Sequence, residues 1–428
     1  MARNLKEYMN IYDNYICEID EDIQSTKNKL LKLIGDDRHY SVEDGLDFQF
    51  AKSNVDLYHT VSKSLAQKHE VFASKIKIIS HFIEQPFLEI RGESDSDYLI
   101  KFFDENGVCH YENTIKSNHW VKLSRRYFTK WTVKVWENGK IIYDKTLDYT
   151  NQRVYIALDS KSLGDTIAWL PYAREFRKKH HCKVIVSTFW NYLFEKNYPD
   201  LEFINPGQPA NGILGMYKIG WFYDSSHEPE LPNIIPLQKA ATNILGLDFH
   251  EVKPDVVLDV KARPIETKYI TIATNSTAGL KFWTREGWQE LVDYFNSLGY
   301  RVINVSKEDN PLRNVEKIKD TSIENTMNYI QHSEFFVGLS SGLSWLAWGL
   351  GKKVVMISNF TDENHEFTSN CIRIVNKSVC NGCWNKPEFK FDKGDWNWCP
   401  VHKNTSRQFE CHKSITPEMV IEQIKELL

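Results

Sequence analysis

The sequence predicts an α/β protein with two halves of alternating strands and helices, preceded by an N-terminal helical region and a small antiparallel β module. Two observations predict the halves: short apolar strands alternate with helical segments over residues 151–255, and again over residues 256–428. A third observation predicts the β module, because apolar and polar side chains alternate with period two over residues 86–150. A chain of 428 residues accommodates these parts as two or three domains.

Composition and charge exclude several classes of protein. Apolar residues make up 42% and charged residues 26%, as in ordinary globular proteins, and the net charge of −4 argues against a nucleic-acid partner. No apolar run is long enough to span a bilayer, and the first twenty residues lack the apolar core of a signal peptide. We therefore expect a cytoplasmic protein without a membrane span, whose cysteines stay reduced.

The N-terminal region, residues 1–85, is predicted to be helical because its apolar side chains recur at helical spacing. They include Ile16, Ile19, Ile23, Leu30, Ile34, Val61, Leu65, Phe72, Ile76 and Ile79.

The β module contains two turn signals. Asn106-Gly107 and Asn138-Gly139 each lie between alternating apolar runs. A type I′ turn needs positive φ at both central residues, so both pairs predict tight hairpins, and the module is expected to be a sandwich or partial barrel.

The two α/β halves place their functional loops after the strands. Strands are predicted at 154–158 and 183–188 in the first half, and from Tyr269 onward in the second. A final helix is predicted to start at Thr416, with Pro417 as its first residue. Ligands of such sheets bind beyond the carboxyl ends of the strands, so the strand-to-helix loops are the candidate sites.

The first of these loops, Asp159–Thr166, contains Gly164 and Asp165 at the start of a helix. The Asp165 carboxylate is a candidate general base for an attacking hydroxyl group. The alternative is that Asp165 only caps the helix.

The corresponding loop of the second half, Ala273–Trp283, suits a diphosphate. Ser276 and Thr277 offer hydroxyl groups, and Lys281 offers a positive charge. The alternative is a solvated lysine on an ordinary loop. Glu308, after the next strand, is either a ligand for a ribose hydroxyl or an exposed acid.

A third loop joins a strand to the helix within Val337–Gly351. Ser340, Ser341 and Gly342 lie where a ligand can approach a helix N-terminus closely. We expect these residues on the donor side of the site.

Residues 378–414 hold half of the eight cysteines. Cys380 and Cys383 form a two-residue knuckle, followed by Cys399 and Cys411. Four thiolates in a short segment predict a closed, structural metal site, for which zinc and iron both fit by ligand type. His402 and His412 are alternatives for one ligand.

Together these residues resemble glycosyltransferase family 9. The matching stretches are "SLGDT" in the first half and "STAGLKFW" and "GLSSGLSWLAWGLG" in the second, and the four late cysteines narrow the resemblance to the bacterial autotransporter heptosyltransferases. The resemblance covers about residues 85–428. It implies a GT-B fold with two Rossmann-like domains, with heptose transferred from ADP-heptose to serines of an autotransporter adhesin in the cytoplasm.

The resemblance also implies roles for individual residues. Asp165 falls on the catalytic base and Lys281 on the diphosphate ligand, with Ser276 and Thr277 adjoining it. The four cysteines fall on the ligands of a structural iron, and a homo-oligomer is implied. Ser340 and Trp345 depart from the Asp and His of the lipopolysaccharide heptosyltransferase motif.

Two other functions remain open from the sequence. The first is a family 9 enzyme that uses another nucleotide sugar or a lipopolysaccharide acceptor. The second is a non-catalytic scaffold that binds an adhesin.

Overall fold

The computed structural model describes residues 69–73, 75–256, 262–308, 311–389 and 398–428. The described chain divides into two compact units. Unit 1 takes the residues up to Leu158 together with Glu175–Asn191 and Asp200–Lys218, and unit 2 takes Asp159–Arg174, Tyr192–Pro199 and Ile219–Leu428. The predicted domain boundaries at residues 86, 151 and 256 stay predictions.

The strands, in chain order, are β1 (His69–Ala73), β2 (Ile76–Ile83), β3 (Phe87–Gly92), β4 (Tyr98–Phe103), β5 (Cys109–Ile115), β6 (His119–Lys122), β7 (Thr132–Glu137), β8 (Lys140–Thr146), β9 (Arg153–Leu158), β10 (Lys183–Ser187), β11 (Glu202–Ile204), β12 (Ile213–Ile219), β13 (Tyr269–Ile272), β14 (Arg301–Asn304), β15 (Glu316–Lys317), β16 (Phe336–Leu339), β17 (Val354–Ile357) and β18 (Cys371–Ile374). The α-helices are α1 (Leu163–His180), α2 (Leu237–Leu245), α3 (Arg285–Ser297), α4 (Ile323–His332), α5 (Gly342–Gly349), α6 (Glu410–Lys413) and α7 (Pro417–Ile424).

Unit 1 is organised around a mixed sheet in the order β11-β10-β9-β12-β2-β3-β6, with β1 paired to β2. β10 runs parallel to β9 and β11, as the strand–helix–strand pattern predicts. β12 pairs in parallel with β2, where Gly215 faces Phe82 and Met216 faces Ile83. Part of the β module therefore continues the sheet of the first α/β half.

The other strands of the β module form a four-stranded antiparallel sheet in the order β5-β4-β7-β8. In β4, the alternate residues Tyr98, Ile100 and Phe102 are buried. A hydrogen bond of 2.5 Å between Ser80 of β2 and Tyr143 of β8 joins this sheet to the larger one. The predicted sandwich or partial barrel stays a prediction.

The two Asn-Gly pairs adopt different turns. Asn138 and Gly139 have φ values of 49° and 77°, which confirms a type I′ hairpin between β7 and β8. In the other pair only Gly107 has a positive φ, of 78°. There the Asp104 carboxylate accepts hydrogen bonds from the backbone N–H groups of Asn106 and Val108, at 2.9 and 3.0 Å, and this side-chain-stabilised turn replaces the predicted tight hairpin.

The predicted N-terminal helix is wrong for residues 69–83, which form β1 and β2. β2 is an internal strand buried on both faces, so Ile76, Ile78, Ile79, Phe82 and Ile83 show no alternation with polar residues. Without that alternation its isoleucines imitate helical spacing. Residues 1–68, where the rest of the helical prediction falls, lie outside the described residues.

Unit 2 contains a sheet in the order β15-β14-β13-β16-β17-β18, and each neighbouring pair is parallel. α3 buries Trp288, Leu291, Val292 and Phe295, which recur at helical spacing. α7 begins as expected, because the Thr416 side chain accepts a hydrogen bond from the Met419 N–H and Pro417 occupies the first turn.

Together the two units give the α/β fold predicted for a GT-B protein. None of the described helices combines the length and the apolar character needed to cross a bilayer.

Candidate functional site

The first predicted loop, Asp159–Thr166, belongs to unit 2 and leads into α1. The Thr166 N–H donates to the Ser162 carbonyl at 3.2 Å, and the Asp165 N–H donates to Ser162 Oγ at 3.4 Å. Ser162 therefore occupies the helix-cap position. The alternative that Asp165 only caps the helix is wrong, because its carboxylate bonds elsewhere.

The Asp165 carboxylate accepts two hydrogen bonds on one oxygen. Ser160 Oγ donates to Oδ2 at 2.6 Å, and Trp221 Nε1 donates to the same oxygen at 2.9 Å. Burial raises the pKa of Asp165, while these two hydrogen bonds and the Lys281 ammonium group oppose the rise. A carboxylate with a raised pKa is suited to accept a proton near neutral pH.

Lys281 closes a short 3₁₀ turn, Gly279–Lys281, in the second predicted loop. Its side chain is half-buried, and Nζ lies 5.7 Å from the centroid of the Phe360 ring. Burial lowers the pKa of Lys281, against the opposing influence of Glu366 and Asp165. The alternative of a solvated lysine is therefore wrong. Asp165 and Lys281 also lie close enough to influence each other's pKa.

A buried ion pair that the sequence analysis missed acts electrostatically on Lys281. Arg373 Nη1 donates to Glu366 Oε2, and the Glu366 side chain is only 3% exposed. Burial disfavours the charged form of Glu366, but Arg373, His365 and a hydrogen bond from Ser340 lower its pKa to about 2. Glu366 is therefore an anion at neutral pH. Its position in the loop after β17 was the available sequence signal.

The third predicted loop brings α5 close to the start of α1. A Cβ atom added at Gly164 would lie 3.3 Å from Gly342 Cα and 3.3 Å from Trp345 Cδ1, so the two glycines permit a close backbone approach. Ser340 is buried and donates to Glu366. The buried Oγ of Ser341 has no hydrogen-bond partner among the described residues, although Ser341 precedes the first turn of α5.

The other predicted donor-side residues lie apart from this network. Ser276 is half-buried and Thr277 is exposed in the loop after β13. Glu308 is exposed in the loop after β14, which pairs with β13. No side-chain hydrogen bond of these three residues occurs within the described part of the chain.

The four late cysteines come together in unit 2. Cys383, Cys399 and Cys411 are buried and Cys380 is half-buried. The first knuckle turns at Gly382, with φ of 64°, where an added Cβ would lie 2.1 Å from Asp362 Oδ1. At the third cysteine, the backbone N–H of His402 donates to Cys399 Sγ at 3.2 Å.

These thiols act on one another electrostatically. Burial, with contributions from Cys380, Cys383 and Cys399, raises the pKa of Cys411 to about 12. Burial likewise raises the pKa of Cys383 to about 11, with contributions from Cys380 and Cys399. Clustered sulfurs that resist ionisation without a cation fit a site in which a metal ion stabilises the thiolates.

Both alternative histidine ligands lie beside a cysteine. Ligand atoms of Cys380, His402 and Glu410 all lie within 4.8 Å of one another. His412 Nδ1 lies 3.3 Å from Cys411 Sγ, and its buried Nε2 has no hydrogen-bond partner among the described residues. The choice between four cysteines and three cysteines with one histidine therefore stays open.

The comparisons with known proteins agree with these features. Residues 219–395 match the family described as glycosyltransferase family 9 (heptosyltransferase). The chain is 35% identical to the autotransporter heptosyltransferase Aah of Escherichia coli over 76% of this chain and 87% of Aah. It is also 30% identical to BimC of Burkholderia thailandensis, described as an inactive autotransporter heptosyltransferase, over 72% of this chain and 76% of BimC.

A solved structure extends the likeness to three dimensions. The iron-containing dodecameric glycosyltransferase TibC of enterotoxigenic E. coli H10407 matches with a TM-score of 0.75 and 31% identity, over 82% of this chain and 95% of TibC. TibC has also been solved in complex with ADP-D-β-D-heptose. The chain belongs to the autotransporter heptosyltransferases.

Proposed function

We propose that this chain transfers heptose from ADP-heptose to serine residues of a bacterial autotransporter adhesin in the cytoplasm. The observation that carries the proposal is the pairing of a half-buried carboxylate of raised pKa, Asp165, with a half-buried ammonium group, Lys281, within one unit. The relatives Aah and TibC support the choice of donor and acceptor.

In the proposed reaction, the acceptor serine oxygen attacks the anomeric carbon of the heptose. The new carbon–oxygen bond forms as the bond between that carbon and the β-phosphate oxygen breaks, and ADP leaves with the bonding electrons. Asp165 accepts the serine proton. This direct displacement inverts the configuration at the anomeric carbon.

Lys281 has the role of binding the diphosphate. Its lowered pKa reflects burial, and an anion beside it would raise that pKa again. As negative charge builds up on the departing ADP, a positioned ammonium group stabilises it. No ion pair engages Lys281 among the described residues, so its charge is available to the donor.

The remaining donor-side residues are assigned around Lys281. Ser276 and Thr277 offer hydroxyl groups to the diphosphate, and Glu308 is assigned to the ribose. The N-terminus of α5, with Ser340, Ser341 and Gly342, is assigned to the donor sugar nucleotide. The buried, unpartnered Oγ of Ser341 supports this assignment, because a buried hydroxyl ordinarily has a partner.

The metal of this chain is proposed to be a structural iron held by Cys380, Cys383, Cys399 and Cys411, with zinc as the alternative. The iron in TibC supports this choice, and so does the clustering of the four thiols. When bound, the metal cross-links a segment that contributes few apolar residues to the core. A homo-oligomer is proposed on the same relationship, because TibC is dodecameric.

One observation favours a second function, that of a non-catalytic scaffold. BimC, at 30% identity, is described as inactive, so membership of the family does not guarantee turnover. Asp165 and Lys281 distinguish the two functions in this chain, since a scaffold requires neither. Binding of ADP, measured by isothermal titration calorimetry, separates them further.

The test is co-expression of this chain with an autotransporter adhesin in a strain that makes ADP-heptose, followed by intact-mass analysis of the adhesin. We expect mass gains of whole heptosyl residues, located on serines by peptide sequencing. An unmodified adhesin would refute the proposal. A mass gain that matches another sugar would identify a different nucleotide sugar as the donor. Modification of lipopolysaccharide alone would identify lipopolysaccharide as the acceptor.

A further inference from the structure

We propose that Trp221 positions the Asp165 carboxylate as a base, and that Trp384, the residue after Cys383, holds Trp221 in place. This inference rests on the proposed function, because a carboxylate needs this orientation only if it takes the acceptor proton. Neither tryptophan belongs to the motifs that the sequence analysis singled out.

The two hydrogen bonds to Asp165 define which of its oxygens is available. Trp221 Nε1 and Ser160 Oγ both donate to Oδ2, at 2.9 and 2.6 Å. The Ser162 side chain also acts on the carboxylate through a hydrogen bond that lowers its pKa. Trp221 and Ser160 together orient the carboxylate through Oδ2, which directs Oδ1 to the role of proton acceptor.

Trp221 is itself held by other rings of unit 2. Its ring centroid lies 5.6 Å from that of Trp384 with an interplanar angle of 80°, and 6.1 Å from that of Trp169. Edge-to-face packing of this kind fixes ring orientation. Because the indole N–H is rigidly attached to its ring, fixing the ring also fixes the hydrogen bond to Asp165.

The same packing extends beneath Lys281. Trp384, Leu280 and Phe360 form a buried apolar cluster against which Trp221 packs. Leu280 precedes Lys281 in the chain, and the Lys281 ammonium group lies over the Phe360 ring. One group of apolar side chains thus supports both the proposed base and the proposed diphosphate ligand.

The backbone ties Trp384 to its surroundings. Its N–H donates to the Phe360 carbonyl at 3.0 Å, and its carbonyl accepts from Asn233 Nδ2 at 3.1 Å. Cys383 is its chain neighbour and a proposed metal ligand. The cysteine segment is thereby connected to the base through two tryptophan rings.

The charged groups around Asp165 determine the direction in which its pKa should shift in the test. Lys281 favours the ionised form of Asp165, while Glu366 raises and Arg373 lowers the pKa of Lys281. His365, near Trp221, has its pKa lowered to about 4 by burial and stays neutral in the working range. Loss of the Trp221 hydrogen bond therefore raises the pKa of Asp165 further.

The experiment measures kcat and KM for ADP-heptose against pH, with an adhesin fragment as acceptor. Trp221→Phe keeps an aromatic ring and removes the N–H donor. We expect the acidic limb of kcat to move to higher pH and kcat at neutral pH to fall about 10- to 100-fold, with ADP affinity changed less than about threefold. Trp384→Leu should move the limb in the same direction.

The matched control is Trp169→Phe, which removes an indole N–H that donates to the Leu237 carbonyl at 2.8 Å and not to Asp165. Its pH profile should keep the wild-type position. A folded, ADP-binding Trp221→Phe protein with the wild-type profile would overturn the proposal. If Trp221→Phe does not fold, Trp384→Leu decides: an upward shift of the limb supports the proposal, and an unchanged limb overturns it.

The double variant Trp221→Phe/Trp384→Leu should be no slower than the slower single variant, because both changes disturb one contact. Full additivity of the two losses would count against the connection between the rings. Undiminished transfer by Asp165→Asn would instead overturn the proposed function, so the two failures are distinguishable.

Discussion

Arg373 and Glu366 form an ion pair whose side chains are only 9% and 3% exposed. The pair lies in the same network as Lys281, which feels the charges of both residues. Because Arg373 already neutralises Glu366, that carboxylate does not need the Lys281 ammonium group as a counter-charge. The positive charge of Lys281 is therefore available to an incoming anion.

The first prediction concerns the stability that this ion pair provides. Glu366→Gln should lower the free energy of unfolding by about 3–5 kcal/mol, because it leaves the Arg373 guanidinium buried without a counter-charge. Denaturant unfolding measures the loss. The matched control is Glu316→Gln, which breaks the exposed pair with Arg301 and should cost less than about 1 kcal/mol. Equal losses would contradict the assignment of a buried pair.

The pH dependence of stability follows from the same residue. The pKa of folded Glu366 is about 2, below the ordinary value of 4.5. A lowered pKa means that the stabilisation is fully present above pH 4.5 and is lost as the pH falls toward 2. We expect Glu366→Gln to flatten that part of the stability profile, measured by thermal unfolding between pH 3 and pH 7. A mutant profile as steep as that of the wild type would exclude Glu366 as its source.

A separate prediction addresses the binding of ADP. Lys281→Met should weaken ADP binding about 10- to 100-fold, which is the typical contribution of one charge-assisted contact. Lys281→Arg should retain part of the affinity, since the charge is kept. The control Lys239→Met removes a half-buried lysine that pairs with Glu230. Calorimetry that finds the same loss in both methionine variants would remove Lys281 from the donor site.

The role of Asp165 is tested through turnover. Asp165→Asn should reduce transfer about 100- to 10,000-fold while ADP still binds, because general-base catalysis contributes on that scale. In the wild type, kcat should fall as the pH drops through a value above the ordinary range for aspartate, since burial raises the pKa of Asp165 and only the ionised form accepts a proton. The control is Asp224→Asn, which lies on an exposed loop where hydrogen bonds lower the pKa of Asp224 to about 2. This variant should leave the acidic limb of kcat at its wild-type pH.

The metal site makes a prediction about stability and content. Replacing Cys380 and Cys383 together by serine should remove the bound metal, measured by elemental analysis, and lower the melting temperature before ADP affinity changes. Cys109→Ser, an exposed cysteine of β5, should alter neither. If the double variant keeps its metal, the ligands would instead be assigned to residues such as His402 and Glu410.

Of the two Asn-Gly turns, one has the conformation that the sequence predicts and the other does not. At Asn138 the sequence alone predicts the turn, because the flanking residues offer no competing hydrogen bond. At Asn106 the Asp104 carboxylate binds two backbone N–H groups, and this local competition changes the turn. β2 was mistaken for helix for a different reason: burial of both faces removes the alternation on which strand prediction depends.

The site was predictable only where a residue follows a strand within a recognisable loop. Asp165 and Lys281 satisfy that condition. Trp221 also lies near a strand end, but the carboxylate to which it donates is 56 residues away in the chain and no local spacing links the two. Glu366 and Arg373 are only seven residues apart, but neither belongs to a loop motif that the sequence analysis recognised. The hydrogen bond from Trp221 to Asp165 therefore required the tertiary structure.

The parallel pairing of β12 with β2 has a consequence for any attempt to isolate the α/β half of unit 1. A shortened protein that began after residue 150 would expose the backbone of β12 as an unprotected edge, where Ile213, Leu214 and Met216 are buried in the whole chain. Such edges recruit strands from other molecules. The strands that precede residue 150 are thus a necessary part of the scaffold of unit 1, and removing them would produce aggregates rather than a minimal enzyme.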